Sequence, residues 1–253
     1  LSTTGTFISF EGIDGSGKST QARLLAEALR ARGHDVVLTR EPGGSPGAEE
    51  IRALVLQGDP DRWSAETEIL LFTAARRDHL ERTIQPALDA GKIVICDRFA
   101  DSTRMYQGLS RGDLREDVDK LHALMIGREP DVTVLIDMEA KCALSRSLER
   151  LAQPKPISPP DVNEETLMSF SHSQPVPRSK EKTNLLEANT NVLSSNFQNE
   201  DRFESFGLSL QEKMRDGFLA LAAEFPDRFL TIDGGRDIDA VAADVLQQVE
   251  DRL

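Results

Sequence analysis

Positive charge is scarce in this sequence: 30 lysines and arginines stand against 43 aspartates and glutamates, a net charge of −13. Coating nucleic acid along its phosphates needs a basic footprint, so no nucleic-acid partner is expected, and any anionic ligand must meet a local positive site. Long apolar runs are missing as well. No stretch reaches the roughly eighteen apolar residues a membrane helix needs, so no membrane span is expected. The opening LSTTGTFISFEG has neither a basic n-region nor a cleavable apolar stretch, so a signal peptide is not expected and a cytoplasmic location is. There are only two cysteines, Cys96 and Cys142, with no CxxC or Cys/His cluster. That pattern predicts two reduced core thiols. Internal repeats are absent. Glycine is absent from the run between Leu151 and Asn199, which holds Pro154, Pro156, Pro159, Pro160, Pro175 and Pro177, half of the chain's twelve prolines. Such a run excludes a long helix or a regular strand there.

What is present is a βα alternation. A chain of 253 residues suits one large α/β domain with an insertion. The apolar runs TFISF (6–10), DVVLT (35–39), KIVICD (92–97), VTVLID (132–137) and FLTID (229–233) read as buried strands. Helical periodicity predicts helices over 19–33, 48–56, 65–90 with a break at Pro86, 140–151, 204–225 and 237–253. Buried strands separated by helices predict a three-layer α/β fold around a five-stranded parallel sheet. The site then lies at the carboxyl ends of the strands, where the loop after Phe10, the loop after Thr39, the pair Asp97-Arg98 and Asp137 converge.

Gly12-Ile13-Asp14-Gly15-Ser16-Gly17-Lys18-Ser19, followed by Thr20, fits G-x-x-x-x-G-K-[ST] between a predicted strand and a predicted helix. Its glycines let backbone N–H groups converge on phosphate oxygens at a helix N-terminus. Lys18 would neutralise β/γ-phosphate charge and the Ser19 hydroxyl would ligate Mg²⁺. The motif says nucleotide and leaves the reaction open.

EGIDGSGKST, TREPGG (39–44), LFTAARRDH (71–79) and DRFADSTRMYQG (97–108) occur in this order, and together they resemble the thymidylate kinase family. The resemblance covers Thr6 to Arg150 and Asn199 to the C-terminus. It implies a sheet of the P-loop nucleoside monophosphate kinase type, transfer of a phosphoryl group from ATP-Mg²⁺ to dTMP, and a homodimer. Arg40 would reach the dTMP phosphate, where a guanidinium suits the anion better than an ammonium; a plain surface arginine is the competing reading. Arg98 would bridge the acceptor and transferring phosphates. Asp97 would orient the acceptor or a water on Mg²⁺, with a buried Asp–Arg pair as the alternative. Phe72 would stack on thymine and Arg76, one helical turn on, would bond its edge. Asp14, Ser102, Thr103 and Gln107 would add polar contacts, and Tyr106 would crowd the sugar's 2′ position. Met105 departs from the family, which usually has a small residue there. On this reading Arg98→Ala abolishes turnover and leaves unliganded stability nearly unchanged.

The same family carries a lid after the fourth strand's helix, in which an arginine completes catalysis when the P-loop holds an acidic residue. Arg146, Arg150 and Arg202 are the candidates, Arg150 and Arg202 foremost. Residues 153–198 interrupt this lid. An extension of about tenfold over a short turn costs only ~2 kcal/mol by logarithmic loop closure, so the fold should survive it. Three readings of the run stay open: a tolerated loop, a segment that orders on an unknown protein partner, or a regulatory flap. A nucleotide-binding scaffold whose turnover the run impairs is the alternative function.

Overall fold

A computed structural model of the protein describes residues 5–57, 62–110, 112–152 and 207–253. Five strands, β1 (Phe7–Glu11), β2 (Val36–Arg40), β3 (Ile93–Asp97), β4 (Val132–Asp137) and β5 (Phe229–Asp233), form one sheet in the order β2-β3-β1-β4-β5. Every pairing is parallel. Arg40 and Phe10 both lie opposite Asp97, while Glu11 lies opposite Leu135 and Asp137 opposite Asp233. All five carboxyl ends therefore open on one edge, with β1 at the centre.

The helices are α1 (Lys18–Ala31), α2 (Pro46–Leu56), α3 (Ala65–His79), α4 (Gln85–Asp89), α5 (Ala100–Thr103), α6 (Arg115–Met125), α7 (Ala140–Ala152), α8 (Leu208–Glu224) and α9 (Ile238–Glu250). The apolar stripes of α1 and α9, Leu25, Leu29, Val241, Val245 and Val249, bury against Ile8, Phe10, Val134 and Ile136 of the sheet. On the opposite face Leu80, Ile84 and Phe99 pack on Phe7 and Val94, and Phe218 and Leu221 of α8 pack with Leu135 and Phe229. Both faces of the parallel sheet are thus covered, as strands apolar on both sides require.

Three expectations are corrected. The helix expected to break at Pro86 breaks earlier: a π-helical turn, Leu80–Ile84, separates α3 from α4, and Gln85 N–H bonds the Leu80 carbonyl. Pro86 has no N–H to offer the preceding turn, and the wider turn accommodates that loss while keeping the chain helical. Between Asp97 and Val132 periodicity alone gives no element, yet the chain forms α5, a second π-helical turn (Arg104–Leu109) and α6. Finally, Cys96 is a buried free thiol as expected, but Cys142 sits exposed on α7. No described helix is long and apolar enough to cross a membrane.

Candidate active site

The loop after β1 is built around glycine. Gly15 has φ +83°, and a Cβ there would fall 2.0 Å from the Ala143 carbonyl oxygen. Gly17, at φ +94°, is the N-cap of α1, makes no side-chain cap, and would point a Cβ into open space. No acidic residue occupies the first turn of this 14-residue helix, so no side chain of that turn offsets the positive end of its dipole, and Lys18 and Ser19 of the same turn line a cleft. Ile13 is packed in the core, and the Ser16 hydroxyl is buried without a described partner.

Lys18 is buried, with Nζ 3.4 Å from the Ile13 carbonyl and 3.5 Å from Asp14 Oδ1. Burial and then the Arg98 charge lower its pKa, against the pull of Asp14, Asp97 and Glu11. Asp14 goes the other way. Burial raises it, but Arg98, Lys18 and the Tyr106 hydroxyl together outweigh burial and hold the carboxyl well below the usual range.

Arg98 stands at the end of β3 with φ 70°, the only non-glycine residue with positive φ among those described. Its N–H donates to the Phe10 carbonyl (2.9 Å). Nη1 donates to Ser102 Oγ (2.8 Å) and the Gly12 carbonyl (3.3 Å), and Nη2 to Asp14 Oδ1. The Tyr106 hydroxyl donates to Asp14 Oδ2 (2.9 Å), and the Arg98 guanidinium lies 5.0 Å from the Tyr106 ring centre. The left-handed backbone conformation, costly for a side chain with a Cβ, turns this guanidinium back over the loop after β1. Arg98 therefore pairs with Asp14 and not with its neighbour Asp97. Asp97 Oδ1 is buried without a described partner.

Glu11, three residues before Asp14, accepts from Phe99 N–H (2.7 Å) and Ser102 Oγ (2.6 Å). Burial and the nearby Asp101 push its pKa up to about 7, against Arg98, Ser102 and Phe99. No pattern in the sequence singles it out, and nothing local ties it to Phe99 or Ser102.

A cleft of about 270 Å³ joins this centre to α3. Asp14, Lys18, Ser19, Asp97 and Arg98 line one end of it, and Arg40, Phe72, Arg76, Ser102, Thr103, Tyr106 and Gln107 line the rest. Arg40 is half exposed and donates to both oxygens of Glu49 on α2 (3.1 and 3.2 Å). Arg76 is buried: Nε donates to Glu41 Oε2 (2.8 Å), and Nη2 to the Phe99 carbonyl (3.1 Å) and Thr103 Oγ1 (3.0 Å). Glu41 and Phe99 line the cleft too, as do Arg52 and Leu56 of α2; periodicity marked α2 as a helix but not as a wall. Met105 fills the core beside Phe218 and Leu221, and Gly217 of α8 gives it room, since a Cβ there would lie 2.5 Å from the Met105 sulfur. Of the lid candidates, Arg146 and Arg150 belong to α7, Arg150 with its side chain among those not described, and Arg202 and residues 153–198 lie outside the described residues.

The residues suit a hard divalent cation: a buried carboxylate oxygen on Asp97 with no partner among the described residues and the exposed Ser19 hydroxyl share the cleft, and oxygen donors are what Mg²⁺ takes.

Comparison with known proteins agrees with this geometry. The thymidylate kinase family profile matches residues 10–166. The thymidylate kinase of Ruegeria pomeroyi is 61% identical over 249 residues, covering 98% of this chain and 96% of the relative. That of Dinoroseobacter shibae is 55% identical, covering 96% of this chain and 95% of its own. The crystal structure of thymidylate kinase from Ehrlichia chaffeensis superposes with a TM-score of 0.64 at 31% identity, covering 97% of this chain and 98% of that one. With the glycine loop, the inward-turned arginine and the cleft on one sheet edge, these matches establish that the chain belongs to the thymidylate kinase family.

Proposed function

We propose that the protein transfers the γ-phosphoryl group of ATP to the 5′-phosphate of dTMP, giving ADP and dTDP. The observation that carries this reading is Arg98, held at positive φ between the phosphate loop and the acceptor cleft. Phosphoryl transfer asks mainly for positioning and charge neutralisation. Lys18 and the N-terminal N–H groups of α1 hold the donor phosphates. Arg98 exchanges its ion pair with Asp14 for the oxygens of the two phosphates, and the freed Asp14 turns to the sugar. Arg40 takes the acceptor phosphate. Phe72 offers its face to thymine, Arg76 bonds the base edge with Ser102, Thr103 and Gln107 around it, and Tyr106 narrows the space at the 2′ carbon. Asp97 and Ser19 would hold Mg²⁺, which would neutralise phosphate charge there.

The reading extends to the rest of the chain. The chain is read as a single domain, with Arg150 or Arg202 as the further catalytic arginine; Arg202 and residues 153–198 lie outside the described residues. A homodimer is supported by exposed apolar residues on three helices that pack in sequence: Leu54 of α2, Leu70 of α3, and Leu124 and Met125 of α6. The test is a coupled ADP-release assay with dTMP, dUMP and dGMP. Turnover with a clear preference for dTMP is expected; equal turnover of all three overturns the substrate assignment.

A further inference from the structure

Behind Arg76 lies a chain of buried polar groups that no step above uses. His79, on the last turn of α3, is fully buried. Its Nδ1 is 3.1 Å from Glu41 Oε1 and its Nε2 2.8 Å from Thr39 Oγ1. A carboxylate only accepts, so Nδ1 carries the proton, and in the neutral ring Nε2 then accepts from the Thr39 hydroxyl. Glu41 Oε2 in turn accepts from Arg76 Nε at 2.8 Å. The chain thus runs from β2, through α3 and the loop after β2, back to α3 at the cleft.

These groups are not replaceable packing. The Gly44 turn closes directly over them: a Cβ at Gly44 would lie 2.3 Å from His79 Nε2 and 2.5 Å from Thr39 Oγ1. Cys96 completes a buried trio with Glu41 and His79, but both nitrogens of the ring and both Glu41 oxygens are already committed to hydrogen bonds, so the trio is a hydrogen-bonded set and not an open ligand set. With Nε on Glu41 and Nη2 on Phe99 and Thr103, Nη1 is the one guanidinium nitrogen of Arg76 without a hydrogen bond to a described residue.

We propose that His79 is a positioning residue for acceptor specificity: by holding Glu41, it fixes the Arg76 guanidinium so that Nη1 is presented to a base that carries a carbonyl at its fourth ring position. This rests on the assignment of Arg76 to the base edge. A donor fixed there favours thymine and opposes cytosine, whose amino group at that position is itself a donor. Loss of His79 leaves a buried carboxylate oxygen unpartnered, which Glu41 relieves by moving, and Arg76 moves with it.

The test compares wild type with His79→Ala, His79→Asn and Thr39→Val, reading KM for dTMP, KM for ATP, kcat, and the ratio of kcat/KM for dTMP over dCMP. His79→Ala is expected to raise KM for dTMP by about tenfold and to lower the dTMP/dCMP ratio by at least as much, with KM for ATP unchanged. His79→Asn, whose amide can reach Glu41 as Nδ1 does, is expected to recover part of both effects. Thr39→Val is expected to shift KM for dTMP by about threefold in the same direction. If the variants melt earlier yet keep the wild-type KM and base ratio, His79 is structural only and the proposal fails. If His79→Ala does not fold, wild-type values for both His79→Asn and Thr39→Val overturn it equally. A wild type without preference for dTMP over dCMP would instead sink the assignment of Arg76, and the positioning role with it.

Discussion

On the α3 side of the cleft, Arg76 gives Nε and Nη2 to three protein partners that a ligand has no reason to displace; on the β1 side, Lys18 and Arg98 share a single carboxylate, Asp14. The first wall is finished before substrate arrives. On the proposed function the second is provisional, with Asp14 standing where phosphate oxygens would come, and the difference follows from what each side would bind. A flat, neutral base is discriminated by donors that do not move, because a misplaced partner then leaves a buried group unpaired. Phosphates bring charge of their own, so cations waiting for them need a temporary counter-charge that keeps them from repelling each other while the site is empty.

The largest effect should come from breaking the provisional side at its centre. Arg98→Ala is expected to lower kcat on the order of 10³-fold, as removal of a phosphate-bridging cation does, measured by steady-state kinetics. The expectation that unliganded stability would hardly change is revised by the structure. Arg98 bonds Gly12, Ser102 and Asp14 and is a main cause of the depressed Asp14 pKa, so the melting temperature should fall as well. Unchanged turnover would dissolve the contrast between the two sides.

A second prediction sets two carboxylates of the provisional side against each other. Glu11 has a folded pKa of about 7 against an ordinary 4.5. Between those values the native state holds more protons than the unfolded one, so this group's contribution to stability is full in acid and is lost as pH rises from about 4.5 through about 7. Asp14 has the opposite sign: its pKa is depressed, so its contribution is full above the ordinary aspartate range and is lost only in strong acid. Glu11→Gln should therefore flatten the decline in unliganded stability between pH 5 and pH 8, roughly a few kcal/mol at most for a carboxyl buried this fully. Urea unfolding at the two pH values measures it. An unchanged slope would show that Glu11 is not the group responsible.

The smallest effect is expected at the rim. Glu49→Gln removes the partner of Arg40, but both side chains are about half exposed, 53% and 43%, and such pairs contribute only about 0–1 kcal/mol. Melting temperature should stay put, while KM for dTMP falls slightly as Arg40 is released to the phosphate. A marked loss of stability would place Arg40 with Arg76 among the fixed groups.

What could be read in advance follows the same division. The phosphate loop was legible because its glycines, Lys18 and Ser19 are contiguous and sit between two periodic segments, and the strands because each is a short apolar run, the central three buried on both faces. The fixed wall was legible only at Phe72 and Arg76, which share a helix face. Their support was not: Arg76 meets Glu41 across 35 positions and Phe99 across 23, and no local pattern encodes a pairing that the sheet order creates. The two π-helical turns escaped for a related reason. One accommodates Pro86 a turn before it, and the other places Tyr106 and Gln107 on a helix whose widened turn shifts them off the ordinary period.

Arg98 has a consequence for how this family can change. Its backbone N–H is bonded to Phe10 and its guanidinium to Gly12 and Asp14, while the next residue's N–H is bonded to Glu11 and Tyr106 reaches Asp14. Two short stretches, 10–14 and 98–106, thus read each other almost residue by residue although some eighty positions of chain lie between them. Neither is portable alone. A change in one leaves its partner in the other unpaired, so the two stretches act as a single word written in two places.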